Sequence, residues 1–344
     1  MHGNGEVSTG PADGSGDPWA RSEEQGIFRL LLPTPFAVGP VNTFLIEDDP
    51  LTLVDCGTDE PESLAALEAG LAARGRRLAD IELLLLTHQH VDHMGGAHVV
   101  ARRAGAEVAC LDRLAPFAES FEEACAAEDA VVFATLRENG AAAELVEAAT
   151  EAARRRRSLG RAVAIDRSLA AGEQVVLRDR RLEVHHRPGH SPTDTVFLDR
   201  GRRTLLGGDH LLPEISSNAL IGRGPIGEGG RYRPLVTYRA ALRKTLAMEL
   251  ELVLPGHGGP VRDHRALIEG RLAHQERRAT ELLGLLGGEP RSAREIAQAR
   301  WGEVAEKQVF LTISEVLGHM DLLLDEGRVR REQGAGGIVR FRAA

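Results

Sequence analysis

The sequence predicts a layered α/β domain followed by a small carboxy-terminal domain of three helices and a two-stranded wing. Three observations carry that expectation. Short apolar strands alternate with helical stretches over residues 27–264. Polar, glycine-flanked segments follow several of those strands directly. From residue 265 the pattern turns helical and closes on a single hairpin.

Residues 1–20 are polar and rich in turn formers, which predicts a disordered tail. Residues 27–32 and 41–46 read as strands about a turn at 33–35. A hairpin through 47–50 leads to a strand at 51–54 that ends on Asp55-Cys56-Gly57. Residues 61–74 carry Leu64, Leu67 and Leu71 at helical spacing, with Pro61 in the first turn, where its missing N–H costs nothing. The continuous apolar run 81–86 reads as a buried strand. A helix at 97–104 and a strand at 108–111 follow.

Between about 116 and 161, Ala, Glu and Arg dominate with helical periodicity. That predicts two or three helices inserted between sheet elements, as a lid over the site. The run Arg154–Arg157 is read as a solvated helix end, favourable against the helix dipole, and not as an RNA-binding patch. Strands return at 174–177, 182–186, 195–198 and 204–206. A Gly- and Arg-rich loop (221–234) precedes a helix at 238–248, and a last strand at 252–254 ends on Pro255-Gly256-His257-Gly258. A helix from His264 to about Leu286 is broken by Gly287-Gly288-Glu289-Pro290. Helices at 292–299, 305–311 and 314–326 and a hairpin of 329–332 with 338–341 make a winged-helix arrangement. The expected boundaries are therefore a tail (1–20), a catalytic domain (21–264) and a linker helix with winged-helix domain (265–344).

Composition narrows the function classes. Apolar residues make up 42% of the 344, ample for a packed interior. The net charge of −9, with both signs interspersed, gives no general attraction to nucleic acid or anionic membranes. Cys56, Cys110 and Cys125 are odd in number and widely spaced, which suits a reducing cytoplasm better than a disulfide framework. Residues 1–20 lack the apolar stretch of a secretory signal, and no run approaches the ~20 apolar residues of a membrane span. Among 42 basic residues only Lys244 and Lys307 are lysine, a bias we read as that of a GC-rich bacterial genome.

The chemistry is concentrated in Thr87-His88-Gln89-His90-Val91-Asp92-His93. Neutral imidazoles and carboxylates suit zinc. In an extended stretch His88 and His90 face one way, because side chains alternate with period two. Asp92 and His93, at the turn into a helix, then face a neighbouring point, which favours two adjacent metals over one. Three distant candidates each sit beside glycine after a strand: His190 in Pro188-Gly189-His190, Asp209 in Gly207-Gly208-Asp209, and His257 in Gly256-His257-Gly258. His185, His186 and His210 adjoin them and suit supporting or packing roles. His98, His264, His274 and His319 lie on expected helices and receive no chemistry.

Asp55, the His88–His93 cluster, His190, Asp209 and His257 resemble, in order, the five motifs of the metallo-β-lactamase superfamily. The resemblance covers residues 27–264 and implies a four-layer αβ/βα sandwich with two Zn2+ per chain at one edge. It assigns His88, His90 and His190 to the first zinc, Asp92, His93 and His257 to the second, and Asp209 to both. Asp55 orients a ligand imidazole, a role with a general physical basis. The implied activity is hydrolysis by a metal-bridging hydroxide, with Asp92 also catalytic, orienting the nucleophile or taking its proton.

For the substrate, a small-molecule ester or thioester is expected, as in the glyoxalase II-like branch. The alternative is an endoribonuclease acting on single-stranded RNA, because the winged-helix tail resembles that of the β-lactamase-like endoribonuclease family. Nucleic acid is the less favoured partner: residues 288–344 hold nine basic and nine acidic side chains, whereas nucleic-acid modules are usually basic. A homodimer contact is another use for the tail. A non-catalytic regulator, a secreted β-lactamase and a single-iron persulfide dioxygenase fit the full second-metal set and leader-less start less well.

Overall fold

The computed structural model describes residues 17–215, 220–224 and 232–344. Residues 1–16 of the expected tail and residues 225–231 of the Gly- and Arg-rich loop lie outside the described residues. Within residues 1–20 the tail expectation needs one correction. Trp19 is buried against Phe44, ring centroids 6.0 Å apart, so ordered packing starts before Ala20.

Two sheets gather the eleven strands found among the described residues up to Pro255. The first takes β1 (Ile27–Leu32), β2 (Val41–Ile46), β3 (Thr52–Val54), β4 (Leu83–Leu86), β5 (Glu107–Leu111) and β6 (Arg167–Leu169) in chain order. Its first two pairings are antiparallel and its last three parallel. The second sheet runs β11-β10-β9-β8-β7, from β7 (Gln174–Val176), β8 (Arg181–His186), β9 (Thr195–Asp199), β10 (Thr204–Gly208) and β11 (Leu252–Pro255). Strand β6 is the one element of these sheets that sequence periodicity misses. It is three residues long, with only Leu169 buried.

Alternation along β4 shows how the layers form. Leu83 and Leu85 enter a core shared with Phe197, Leu206 and Leu254 of the second sheet. Leu84 and Leu86 face the other way, onto Leu67 and Leu71 of helix Pro61–Ala72 and Val100 of helix Ala97–Ala104. This is the period-two rule of an extended chain, satisfied on two apolar faces. The outer face of the second sheet (Val196, Leu205, Val253) packs on Tyr238 and Leu242 of helix Pro234–Leu246 and Ile268 of helix His264–Gly284. The result is the expected helix–sheet–sheet–helix sandwich.

The insertion folds as three helices, Ala115–Glu119, Phe121–Glu138 and Ala143–Arg157. The arginine run closes the last of these; Arg157 pairs with Asp129 at 2.6 Å, and Arg155 with Glu151 at 3.2 Å. The carboxy-terminal part contains helices Ala293–Trp301, Glu303–Lys307 and Val309–Asp325, then a hairpin of β12 (Val329–Gln333) and β13 (Val339–Ala343). A separate core joins these two regions. Val132, Leu136 and Val146 of the insertion are buried with Ile296, Ile313, Leu317 and Phe341 of the tail. Helix Val309–Asp325 is buried along most of its length. It packs on helix Pro234–Leu246 closely enough that a Cβ on Gly318 would lie 2.9 Å from the Leu235 Cβ.

Candidate metal centre

All five chain segments that carry the expected site residues end at one edge of the sandwich. Asp55 follows β3, the His88–His93 segment follows β4, His190 follows β8, Asp209 follows β10 and His257 follows β11. Backbone bonds tie these ends together across the two sheets. Gly256 N–H donates to Gly208 O at 2.7 Å and Asn42 N–H to Gly256 O at 2.6 Å. The Asn42 amide also donates to Pro255 O at 2.9 Å and Gly258 O at 3.0 Å. Gly256 admits no side chain, because a Cβ there would lie 2.4 Å from Asp209 Oδ1 and 2.6 Å from His93 Cε1. Asp55 turns in the left-handed region (φ 59°), which short polar side chains tolerate, and so aims its carboxylate back at β4 and His93.

Three overlapping triads of donor atoms form, each with its atoms within 4.8 Å of one another: His88, His90 and His190; His88, His93 and Asp209; Asp92, His93 and His257. Every one of the seven ligand candidates is therefore present. His88 Nε2 lies 3.1 Å from His90 Nδ1, which in turn lies 2.8 Å from His190 Nε2. Asp209 sits between the groups, its Oδ1 3.3 Å from His93 Nε2 and its Oδ2 3.4 Å from His190 Nε2. Asp92 Oδ2 is 3.4 Å from His257 Nε2.

The partners of the far ring nitrogens decide which atoms face inward. His257 Nδ1 is 2.8 Å from the carbonyl of Pro40, which only accepts, so Nδ1 carries the proton and Nε2 the lone pair. His93 Nδ1 donates in the same way to Asp55 Oδ2 at 2.8 Å. Thr87 gives its hydroxyl proton to Asp55 Oδ2 at 2.7 Å and can accept from His88 Nδ1 at 3.0 Å. The Nε2 atoms of His88, His93 and His257 thus face one small volume. Burial opposes charge on His93, but Asp209 and Asp55 hold it well above the ordinary histidine range, so a metal would displace its Nε2 proton. Burial and the neighbouring imidazoles hold His88 well below the ordinary histidine range and His90 down to about 3, the neutral form a metal requires. Burial opposes charge on Asp209, but His93, His190 and His257 around it keep the carboxyl well below its usual value, so it is ionised. His93 Nε2, His257 Nε2 and Asp209 Oδ1 are buried and have no hydrogen-bond partner among the described residues. Orphaned donor atoms of this kind call for a cation. The residues fit bound metal.

Several supporting residues escape the sequence pattern. Thr87 and Asn42 are buried polar groups inside strands or at their ends, with no periodic signal to separate them from ordinary strand residues. Gln89 donates its amide to Glu128 Oε2 at 3.0 Å and accepts from Thr193 Oγ1 at 3.0 Å. Beside it, Phe117, Glu128, Thr193 and Arg223 help line a recess of about 20 Å3, room for about one water and too small for a substrate. His210 bonds Thr245 Oγ1 at 2.8 Å and His186 bonds Pro192 O at 2.9 Å, the supporting roles expected of them. Tyr238 is wholly buried and donates to His210 O at 2.8 Å, while Arg233 donates to Asp321 O at 2.7 Å. Neither lines the site. Burial pushes the Cys56 thiol well up, which leaves it an inert filler beside Asp55.

The fold and this edge define a metallo-hydrolase, and comparison with known proteins supplies the family. Residues 37–257 match the metallo-beta-lactamase superfamily, and residues 279–344 match the metallo-beta-lactamase-like C-terminal domain. The chain belongs to the metallo-β-lactamase superfamily. It is 32% identical over 316 residues to the probable metallo-hydrolase YqjP of Bacillus subtilis (strain 168), across 87% of this chain and 92% of that one. A metallo-beta-lactamase family protein from Thermus thermophilus superposes with a TM-score of 0.76 at 27% identity, covering 93% of this chain and 99% of the other. A bovine protein, acyl-coenzyme A thioesterase MBLAC2, is 29% identical over 192 residues, 54% of this chain and 59% of its own.

Proposed function

We propose that this protein is a dinuclear zinc hydrolase acting on a small-molecule ester or thioester. The observation that carries the reading is the donor set: seven side chains from four strand ends, in two groups of three joined by a triad of His88, His93 and Asp209. His88, His90 and His190 would hold one cation, Asp92, His93 and His257 the other, with Asp209 reaching both. Bound cations supply a water whose pKa falls from 15.7 toward about 7 and polarise the scissile carbonyl.

The chain's own residues do the rest. Asp55 and the Pro40 carbonyl fix the tautomers of His93 and His257, and Thr87 does so for His88. Asp92, at the amino-terminal end of the short helix Val91–Met94, presents Oδ2 beside His257. It orients the attacking water and receives its proton. The thioester preference is supported by the bovine relative's name.

The carboxy-terminal helices and hairpin read as a winged-helix arrangement. Its third helix, Val309–Asp325, is the element that would enter a nucleic-acid groove, yet it is buried against the catalytic half. The RNA alternative therefore leans on the hairpin alone, where Arg330, Arg331 and Arg342 are exposed. Metal analysis should find two cations per chain, and a panel of acyl-thioesters should include one that zinc-loaded protein turns over. No turnover of any thioester, with chelator-sensitive cleavage of single-stranded RNA, would replace this reading with the RNA one. We read the protein as cytoplasmic; no helix among the described residues is long and apolar enough to cross a membrane.

A further inference from the structure

In the ligand segment, alternation sends His88 and His90 toward the metals and Gln89 to the opposite side. There Gln89 is 4% exposed and both ends of its amide are engaged. One end donates to Glu128 of the inserted helix Phe121–Glu138 at 3.0 Å. The other accepts at 3.0 Å from Thr193, whose N–H donates to Ser191 Oγ at 3.2 Å. Ser191, the neighbour of His190, is fastened to Asp194 by two bonds of 2.8 Å. A continuous chain of polar contacts thus links the insertion, the residue between two ligands and the loop of the third.

The inserted helix has a second attachment. Two turns beyond Glu128, Leu136 is wholly buried in the core shared with Ile313 and Leu317 of the tail. Glu128 is therefore held in place by packing outside the metal-binding half. Burial, opposed in part by Arg156, raises its carboxyl to about 7, while part of the side chain stays accessible.

We propose that Glu128 is a positioning residue for the His88–His90–His190 group: through Gln89 it fixes the spacing of the three imidazoles, and the tail core holds it there. The proposal rests on the dinuclear reading above. It gives the insertion and the tail a shared task at the site, one that touches neither metal nor substrate.

The test is a stepwise Co2+ titration of apo-protein, followed by visible absorption and calorimetry, for wild type, Glu128→Ala, Glu128→Gln and Thr193→Val. Thr193→Val breaks the chain from the far end and leaves the inserted helix untouched. Glu128→Ala should weaken one of the two binding events by about 10–100-fold, the range seen when a partner behind a metal ligand is lost, and leave the other within threefold. Glu128→Gln, whose amide oxygen still accepts from Gln89, should stay within threefold of wild type at both. Thr193→Val should weaken the same event as Glu128→Ala. Equal weakening of both events, no weakening at all, or failure of Glu128→Gln to rescue would overturn the proposal. Two-cation binding by wild type in those cases leaves the hydrolase reading standing; uptake of fewer than two by wild type sinks both.

Discussion

Asp55 grips His93 from behind: its Oδ2 accepts from Nδ1 at 2.8 Å, and the opposite ring nitrogen, Nε2, faces Asp209 Oδ1 at 3.3 Å. One carboxylate sets the tautomer while the other waits across the ring. Asp55 also accepts from the Thr87 N–H at 2.9 Å, so it locks the start of the ligand segment as well. Asp55→Ala should lower metal affinity by about 10–100-fold with the secondary structure intact. Competition with a chromophoric chelator measures this, and an unchanged affinity would show that His93 needs no such partner.

Gly256 offers the sharpest steric test. A methyl group there overlaps both Asp209 and His93. Gly256→Ala should therefore lose metal and activity together. The same substitution at Gly259, where nothing lies within 4 Å, should be silent. Metal content of the purified variants decides the matter.

Cation binding is also a stability term. The crowded imidazole nitrogens and the orphaned Asp209 oxygen gain a partner only when cations are present. At a free cation concentration 1,000 times Kd, each site adds about 4 kcal/mol. Chelation should shift the urea midpoint downward, and zinc should restore it. An identical midpoint in both states argues that no cation is held in the folded protein.

Glu128 gives the apo-protein a pH signature. Its carboxyl is raised to about 7 from 4.5, chiefly by burial, so the folded chain keeps a proton that the unfolded chain releases. The stability it contributes is full below pH 4.5 and is lost as pH rises through about 7. Glu128→Gln should flatten that decline in denaturation curves of metal-free protein between pH 5 and 8. A slope unchanged by the substitution would place the proton elsewhere.

The strand ends were legible because a metal site states itself in residue types that strands otherwise avoid. Three histidines and an aspartate just after the apolar run ending at Leu86 suit little besides cation binding, and His190, Asp209 and His257 repeat the glycine-flanked pattern. The supporting contacts were not legible. Glu128 sits in a helix rich in Glu and Ala, where one more carboxylate carries no signal, and its partner is 39 residues away. Helix ends moved by a few residues for local reasons: the second tail helix stops at Lys307 because Gln308 leaves the helical region (φ −128°, ψ 43°), and a new helix starts at Val309. The short edge strand β6 was lost for want of apolar alternation.

The order in which the chain is made follows from the core that unites Leu136 with Ile313 and Phe341. Every donor atom for the metals has left the ribosome once His257 has emerged, yet the inserted helix still lacks its apolar cover. Its exposed stripe must wait through some fifty to eighty further residues of synthesis before Ile313 and Phe341 arrive. A chain that ends near Gly287 therefore holds all seven candidate donors while the apolar face of the inserted helix still lacks the residues that cover it.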